Sequence, residues 1–388
     1  TEAYDQIIDN PFMKVENNPL STFSIDVDTA SYSNLRRFIN EGRLPPKDSI
    51  RIEEMINYFS YDYSQPRDNV PFSINAEVAT CPWQPKHHLM KIGLKGKQIP
   101  SEERASSNLV FLIDVSGSMK RYNKLPLLKQ AMTLLVNNLN INDRIAIVVY
   151  AGREGLVLSS TPCDNKQAIL GAINNLYAGG STNAGAGIQL AYQIAKQNYI
   201  NKGINRIILA TDGDFNVGIT NQGDLIRLIS DYAKQNIFLT VLGFGHGNYK
   251  DSTLEKLADK GNGNYAYIDT LNEARKVLVN QIEGTLITIA KDVKIQIEFN
   301  PEHIQAYRLI GYENRLLRAQ DFNNDKIDAG EIGAGHTVTA LYELVPQGVK
   351  MDIPNVDPLK YQKPQTPTET QNFNDELLNI KLSYKDVS

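Results

Sequence analysis

Leu109-Val110-Phe111-Leu112-Ile113-Asp114-Val115-Ser116-Gly117-Ser118 is the stretch that decides how this chain reads. Five consecutive apolar residues bounded by polar ones are the pattern of a strand buried on both faces. Lys124 to Leu139 then follows a helical period. The turn between them carries one carboxylate, Asp114, and two hydroxyls, Ser116 and Ser118, at alternate positions. Open α/β sheets place their ligands at the carboxyl ends of strands. Oxygen-only donors suit a hard cation such as Mg²⁺ rather than Zn²⁺ or copper. Alone, the stretch also admits a helix N-cap as a lesser reading, since Ser and Asp favour that position.

Outward from that turn, strand and helix patterns alternate over residues 106–283, which predicts a doubly wound, Rossmann-like α/β sheet. Asp143 to Tyr150, Asn205 to Asp212, Ile237 to Gly245 and Asn264 to Ile268 read as strands, with Gly155 to Ser159 as a short antiparallel edge. Helices are predicted for Asp164 to Leu176 (N-capped by Asp164), Gly185 to Tyr199, Asp224 to Gln235, Ser252 to Lys260 and Leu271 to Glu283. Two segments of this block match the first in chemistry. Gly179-Gly180-Ser181-Thr182-Asn183 is a Gly-rich loop with hydroxyls. Ile207 to Asp214 is an apolar strand ending in Thr211-Asp212-Gly213-Asp214.

The flanks differ in character. Residues 1–69 are expected to be a polar coil over 1–20 followed by helices at Thr29 to Asn40, capped by Asp28, and Ser49 to Phe59. Residues 70–105 hold two strands, Val70 to Ala79 and Leu89 to Gly96. Residues 284–388 hold alternating apolar and polar strands at Asp292 to Phe299 and Ile304 to Ile310, then Gly335 to Leu344 and Leu377 to Tyr384, with a Pro-rich loop from Met351 to Asn372. Neither flank has enough strands to close a core alone. The expectation is therefore that the α/β domain is inserted into one antiparallel β-sandwich built from 70–105 and 284–388.

The 388 residues are 41% hydrophobic and 22% charged with a net charge of −4, an ordinary globular composition without the basic stripe that nucleic acid would favour. No apolar run reaches the ~18 residues that span a bilayer. Thr1 opens on polar sequence with no legible signal peptide. Cys81 and Cys163 are too few for a disulfide scaffold, although one bridge is compatible with the sequence. Asp321 to Glu331 has oxygens at alternate positions like a calcium loop. Lys326 stands where that loop needs Gly, and Ile332 where it needs Glu, so a solvated hairpin is expected. His87, His88, His246, His303 and His336 show no metal-ligand spacing, and Gly243-Phe244-Gly245-His246-Gly247 is not a dinucleotide loop.

The order D-x-S-x-S, G-S-T, strand-T-D-G resembles the metal-ion-dependent adhesion site of von Willebrand factor type A domains. The resemblance implies that Ser116, Ser118 and Thr182 hold a divalent metal directly, and that Asp114 and Asp212 act through water or hydrogen bonds. Gly180, Ser181, Asn183 and Asp214 would flank the ligand. Mg²⁺ is the implied ion, with Mn²⁺ or Ca²⁺ as alternatives, and neutral hydroxyl ligands would leave it wanting an anionic sixth ligand. The flanks resemble bacterial YfbK-like proteins. The resemblance rests on Asn10-Pro11-Phe12, Pro19 to Tyr32, Arg51 to Phe59, Ile310 to Arg315 and Asp328 to Val338.

These resemblances imply a non-enzymatic, metal-dependent protein-binding module of the bacterial envelope. The metal would clamp an acidic side chain of a partner protein, and any lipid anchor would lie outside this chain. The alternatives are a scaffold with a metal-rigidified site and a metal-dependent hydrolase. The hydrolase lacks a histidine in any of the three motifs. In related adhesion domains ligand binding shifts the last helix, here Leu271 to Glu283, which would couple the site to the β-domain.

Overall fold

Ser107–Asp114 is buried at every position and forms the centre of a six-stranded sheet. The sheet is seen in a computed structural model that describes residues 2, 4–67, 70–100, 102–151, 155–180, 184–213, 222–245, 251–351 and 375–386. Its strands run in the order Tyr265–Ile268, Phe238–Phe244, Ile204–Thr211, Ser107–Asp114, Arg144–Tyr150, Gly155–Pro162. All neighbours are parallel except the last pair, which is antiparallel at the edge. From Ser107–Asp114 the chain goes first to one side and then to the other. The point where strand order reverses therefore opens between the carboxyl ends of Ser107–Asp114 and Ile204–Thr211.

Helices cover both faces. Leu125–Asn138, Lys166–Asn174 and the segment from Leu271 share one apolar core with the sheet, and Ala184–Gln197, Gln222–Ala233 and Asp251–Lys260 line the other. Three sequence expectations need correction here. Asp28 does not cap the first helix, Ala30–Asn40. Thr29 stands at that cap, and Asp28 instead accepts the N–H of Tyr265 at 2.8 Å, so a residue near the amino terminus fastens the edge of the α/β sheet. Asn165 rather than Asp164 caps Lys166–Asn174, accepting the Ala168 N–H at 3.3 Å.

The third correction concerns the last helix, which is broken. An α turn at Leu271–Arg275 passes into a π-helical segment, Lys276–Asn280, and a further α turn at Ile282–Leu286. Its two ends are tied to different partners. Glu273 accepts from Arg36 and Tyr58, and the Lys276 ammonium donates to the Tyr58 carbonyl. Gly284 lies so close to His336 that a Cβ there would meet Nε2 at 2.1 Å. One extra residue in a helical turn absorbs such a mismatch of register.

The flanking strands pair with each other across the chain. One antiparallel sheet has the order Met13–Lys14, Ile304–Ile310, Thr337–Pro346, His88–Gly96, Phe72–Thr80. A second is built on Thr288–Phe299, which pairs with Leu20–Ser24, Gly330–Gly333 and Leu378–Lys385. Phe23, Ile295 and Ile297 of one sheet and Ile92, Leu94, Val338 and Tyr342 of the other belong to a single apolar core. Leu20–Ser24 and Met13–Lys14 lie where a helical or coil segment was expected. Ser21 and Thr22 are buried there with partners: the Ser21 and Tyr342 hydroxyls lie 2.9 Å apart, and Thr22 accepts from Gln296 at 2.9 Å. Cys81 and Cys163 are both free, buried thiols. Among the described residues no helix is long and apolar enough to cross a membrane.

Candidate metal-binding site

Asp114 is the last residue of its strand and is fully buried. Its Oδ1 accepts the Ser116 N–H at 2.8 Å, the local bond by which an Asp folds the chain into a turn. A short 3₁₀ turn, Gly117–Lys120, follows before the helix begins at Leu125. The Ser116 and Ser118 hydroxyl oxygens are thereby brought to 2.9 Å. The second loop is stitched to the first by backbone bonds: Gly179 N–H donates to the Val115 carbonyl at 2.8 Å, and Gly117 N–H to the Gly180 carbonyl at 3.3 Å. Gly180 has φ +90°, a left-handed conformation that a residue without Cβ adopts at no steric cost. The third segment closes the arrangement. Thr211 donates its hydroxyl to Asp114 Oδ2 at 3.3 Å and accepts the Gly213 N–H at 3.2 Å.

Asp114, Ser116, Ser118, Gly180 and Asp212 thus come from three loops at the reversal point of the sheet. Ser181, Thr182, Asn183 and Asp214 lie outside the described residues. Burial pushes the Asp114 carboxyl up to about 6. The Ser116 bonds pull the other way, and nearby Asp212 adds to the rise. Burial, with Asp114 beside it, also pushes the Tyr150 hydroxyl on the neighbouring strand well above its usual value. A buried carboxyl raised by burial with a second carboxylate beside it is a place where a divalent cation is favoured, because its charge inverts the local balance.

The donor set fits a hard cation. Every candidate ligand atom is oxygen, and both Asp114 oxygens already hold protein groups, which suits a carboxylate acting behind the hydroxyls. Neighbouring ligands in an octahedron with bonds of 2.0–2.1 Å stand about 2.9 Å apart, the separation found between the Ser116 and Ser118 oxygens.

Sequence reasoning missed Lys124. It sits at the N-cap of Leu125–Asn138, is 5% exposed, and donates from Nζ to Asp212 Oδ2 at 2.7 Å. A signal was present, since a cation is out of place at the positive end of a helix dipole unless an anion calls for it. Gly245 makes room for the stem: with φ +71°, it lies where a Cβ would meet Lys124 Cε at 2.2 Å.

A second acidic group stands elsewhere. Carboxylate oxygens of Asp292, Asp328 and Glu331 lie within 4.8 Å of one another. Lys385 pairs with Asp292 and Lys260 with Asp328, each at 2.6 Å, so this group reads as a salt-bridged joint. Asp321, in the same loop, is not solvated as expected. It is buried and closes a 3₁₀ turn, Ala319–Asn323, through Arg318. His87 is bonded to Glu343 at 2.6 Å, and burial pulls His336 down to about 4.

Comparison with known proteins agrees with these parts. The profile described as von Willebrand factor type A domain matches residues 108–281, and one described as von Willebrand factor matches 1–91. The profile described as the C-terminal region of uncharacterized protein YfbK matches residues 284–388. The chain is similar to uncharacterized protein YfbK of Escherichia coli K12, 47% identical over 99% of this chain and 68% of that protein. It is also similar to inter-alpha-trypsin inhibitor heavy chain H1 of Sus scrofa, 27% identical over 50% of this chain and 22% of that one. Among solved structures, a von Willebrand factor type A protein from Catenulispora acidiphila is 18% identical with a TM-score of 0.46, covering 73% of this chain and 67% of that one. With nearly the whole of this chain matched to one relative at 47% identity and a type A domain profile spanning the three motif loops, the chain belongs to the YfbK family of von Willebrand factor type A domain proteins.

Proposed function

We propose that this chain is a non-enzymatic, divalent-cation-dependent protein-binding module of the bacterial envelope. The von Willebrand factor type A domain supports an interaction or adhesion role of this kind. The observation that carries the metal reading is the convergence of Asp114, Ser116, Ser118 and Asp212 at the reversal point of the sheet, with the Ser116 and Ser118 hydroxyls hydrogen-bonded at 2.9 Å, a separation that adjacent metal ligands can keep. By the family resemblance, Thr182 would complete the direct ligands, and Gly180, Ser181, Asn183 and Asp214 would border the ligand. A bound Mg²⁺, or Mn²⁺ or Ca²⁺ in its place, would supply a positive corner for an acidic side chain of a partner protein. Asp114 holds the turn that aims the hydroxyls, and the backbone stitches at Gly117 and Gly179 hold the second loop against it. The flanking sheets, which share one apolar core, are read as a β-sandwich into which residues 106–283 are inserted.

A metal-free scaffold is the second reading, favoured by Lys124, which already places a cation on Asp212. Calorimetric titration of chelator-stripped protein with Mg²⁺ and Mn²⁺, alongside Thr182→Ala, separates the two. Saturable binding that the variant loses supports the module. Absence of binding at millimolar metal supports the scaffold.

A further inference from the structure

Lys124 is built into the site by three separate features. Its backbone takes φ −123° and ψ −112° at the residue before the helix, which turns the side chain toward the sheet's carboxyl edge. Its stem passes Gly245, where a Cβ would lie 2.2 Å from Cε, 2.6 Å from Cγ and 2.9 Å from Cδ. That glycine's left-handed conformation is pinned by the buried Tyr267 hydroxyl, which donates to the Gly245 carbonyl at 2.6 Å. The ammonium ends on Asp212 Oδ2 at 2.7 Å, with both side chains buried.

Resting on the metal-binding reading above, we propose that Lys124 is a tethered cation of the metal site. It neutralises Asp212 when no metal is bound, and it makes the loaded site one charge more positive, which strengthens its preference for an anionic ligand. The charge balance is direct. Among the described residues, a divalent ion, Asp114, Asp212 and neutral hydroxyls sum to zero, and Lys124 raises that sum by one, adding to the pull on an anion that a hydroxyl-ligated metal already exerts. Lys124 adds one positive charge within a desolvated pocket, where charges act more strongly than in water. The same charge opposes entry of the metal. The design thus weakens metal binding in isolation and strengthens it in the presence of a carboxylate.

The test uses the chelator-stripped full chain as parent, Lys124→Met and Lys124→Met/Asp212→Asn. Mg²⁺ is titrated calorimetrically with and without acetate, and melting is recorded in chelator. Lys124→Met should bind Mg²⁺ at least about tenfold more tightly than the parent, show a smaller enhancement by acetate, and melt lower in chelator because Asp212 is left buried without the Lys124 ammonium. The double variant should recover the parent's melting temperature. Unchanged or weaker Mg²⁺ binding by Lys124→Met overturns the proposal, as does a double variant no more stable than the single one. Binding by Lys124→Met but not by the parent supports the tethered cation while removing the metal from the parent's function. Binding by neither ends both readings.

Discussion

Two regions of this molecule bury carboxylates, and they treat them differently. At the joint between the amino-terminal helices, the α/β sheet and the carboxy-terminal strands, arginines complete the balance. Arg51 is paired with Glu54, Asp251 and Glu255, and Arg315 with Asp259 at 2.5 Å and, at 3.5 to 3.9 Å, with Asp26, Glu255 and Asp28. Burial would raise Asp259, yet Arg315 and Lys260 hold it below the usual range. At the loop edge, Lys124 pairs with Asp212, while Asp114 accepts from the Ser116 N–H and the Thr211 hydroxyl. The joint sets two arginines among its acids and reads as structure, although burial still raises Glu53, Glu54, Asp28 and Glu255 there. The loop edge is balanced only in part and reads as a site for a cation.

If that contrast holds, the largest loss of stability comes from the joint. Arg51→Met leaves Glu54 and Asp251 without their arginine, with Glu255 keeping only Arg315, and should cost ~3–5 kcal/mol in denaturant unfolding, with or without Mg²⁺. A smaller effect is the pH dependence of the joint. Burial raises Glu53 from 4.5 to about 7 in the folded protein. The stability tied to its neutral form is complete below pH 4.5 and is lost as pH rises through about 7, a change on the order of 3 kcal/mol. Glu53→Gln should flatten this slope in melting curves. Asp114 contributes a slope of the same sign in metal-free protein, and Mg²⁺ should abolish that part while leaving the Glu53 part intact.

At the loop edge, Ser116→Ala should change stability in chelator by ~1 kcal/mol or less, since it removes one hydroxyl bond. It should also abolish the rise in melting temperature on adding Mg²⁺. A large loss in chelator would mean that the loop edge is structural in the way the joint is. The smallest expected effect lies farthest from the loops. Mg²⁺ with acetate should alter amide exchange in the π-helical segment Lys276–Asn280, which Lys276 and Tyr58 connect to the joint. Unchanged exchange there would mean that the two regions are not coupled.

The loop edge was largely legible in the sequence because its signals are local. An apolar strand such as Phe111–Ile113 announces itself, and the residues after it fold back on their own backbone, as Asp114 does on Ser116. The joint was not legible, because its pairs join residues as far apart as Arg51 and Asp251, or Asp28 and the Tyr265 N–H. Asp28 in front of a helix has the form of a cap, and only tertiary structure redirects it. Leu20–Ser24 escaped notice for a related reason: its buried polar residues are satisfied by Tyr342 and Gln296 from distant strands. The last helix keeps its apolar period across the π segment, so the period alone does not reveal the break. Lys124 is the intermediate case, visible only as a cation at the wrong end of a helix.

Calorimetric titration of the chelator-stripped chain with Mg²⁺, beside Asp114→Ala, tests the cation site most directly. Saturable single-site binding in the parent, weakened ~10- to 100-fold or lost in Asp114→Ala, is the expected result. No binding in the parent at millimolar Mg²⁺, or equal binding in both proteins, would contradict it.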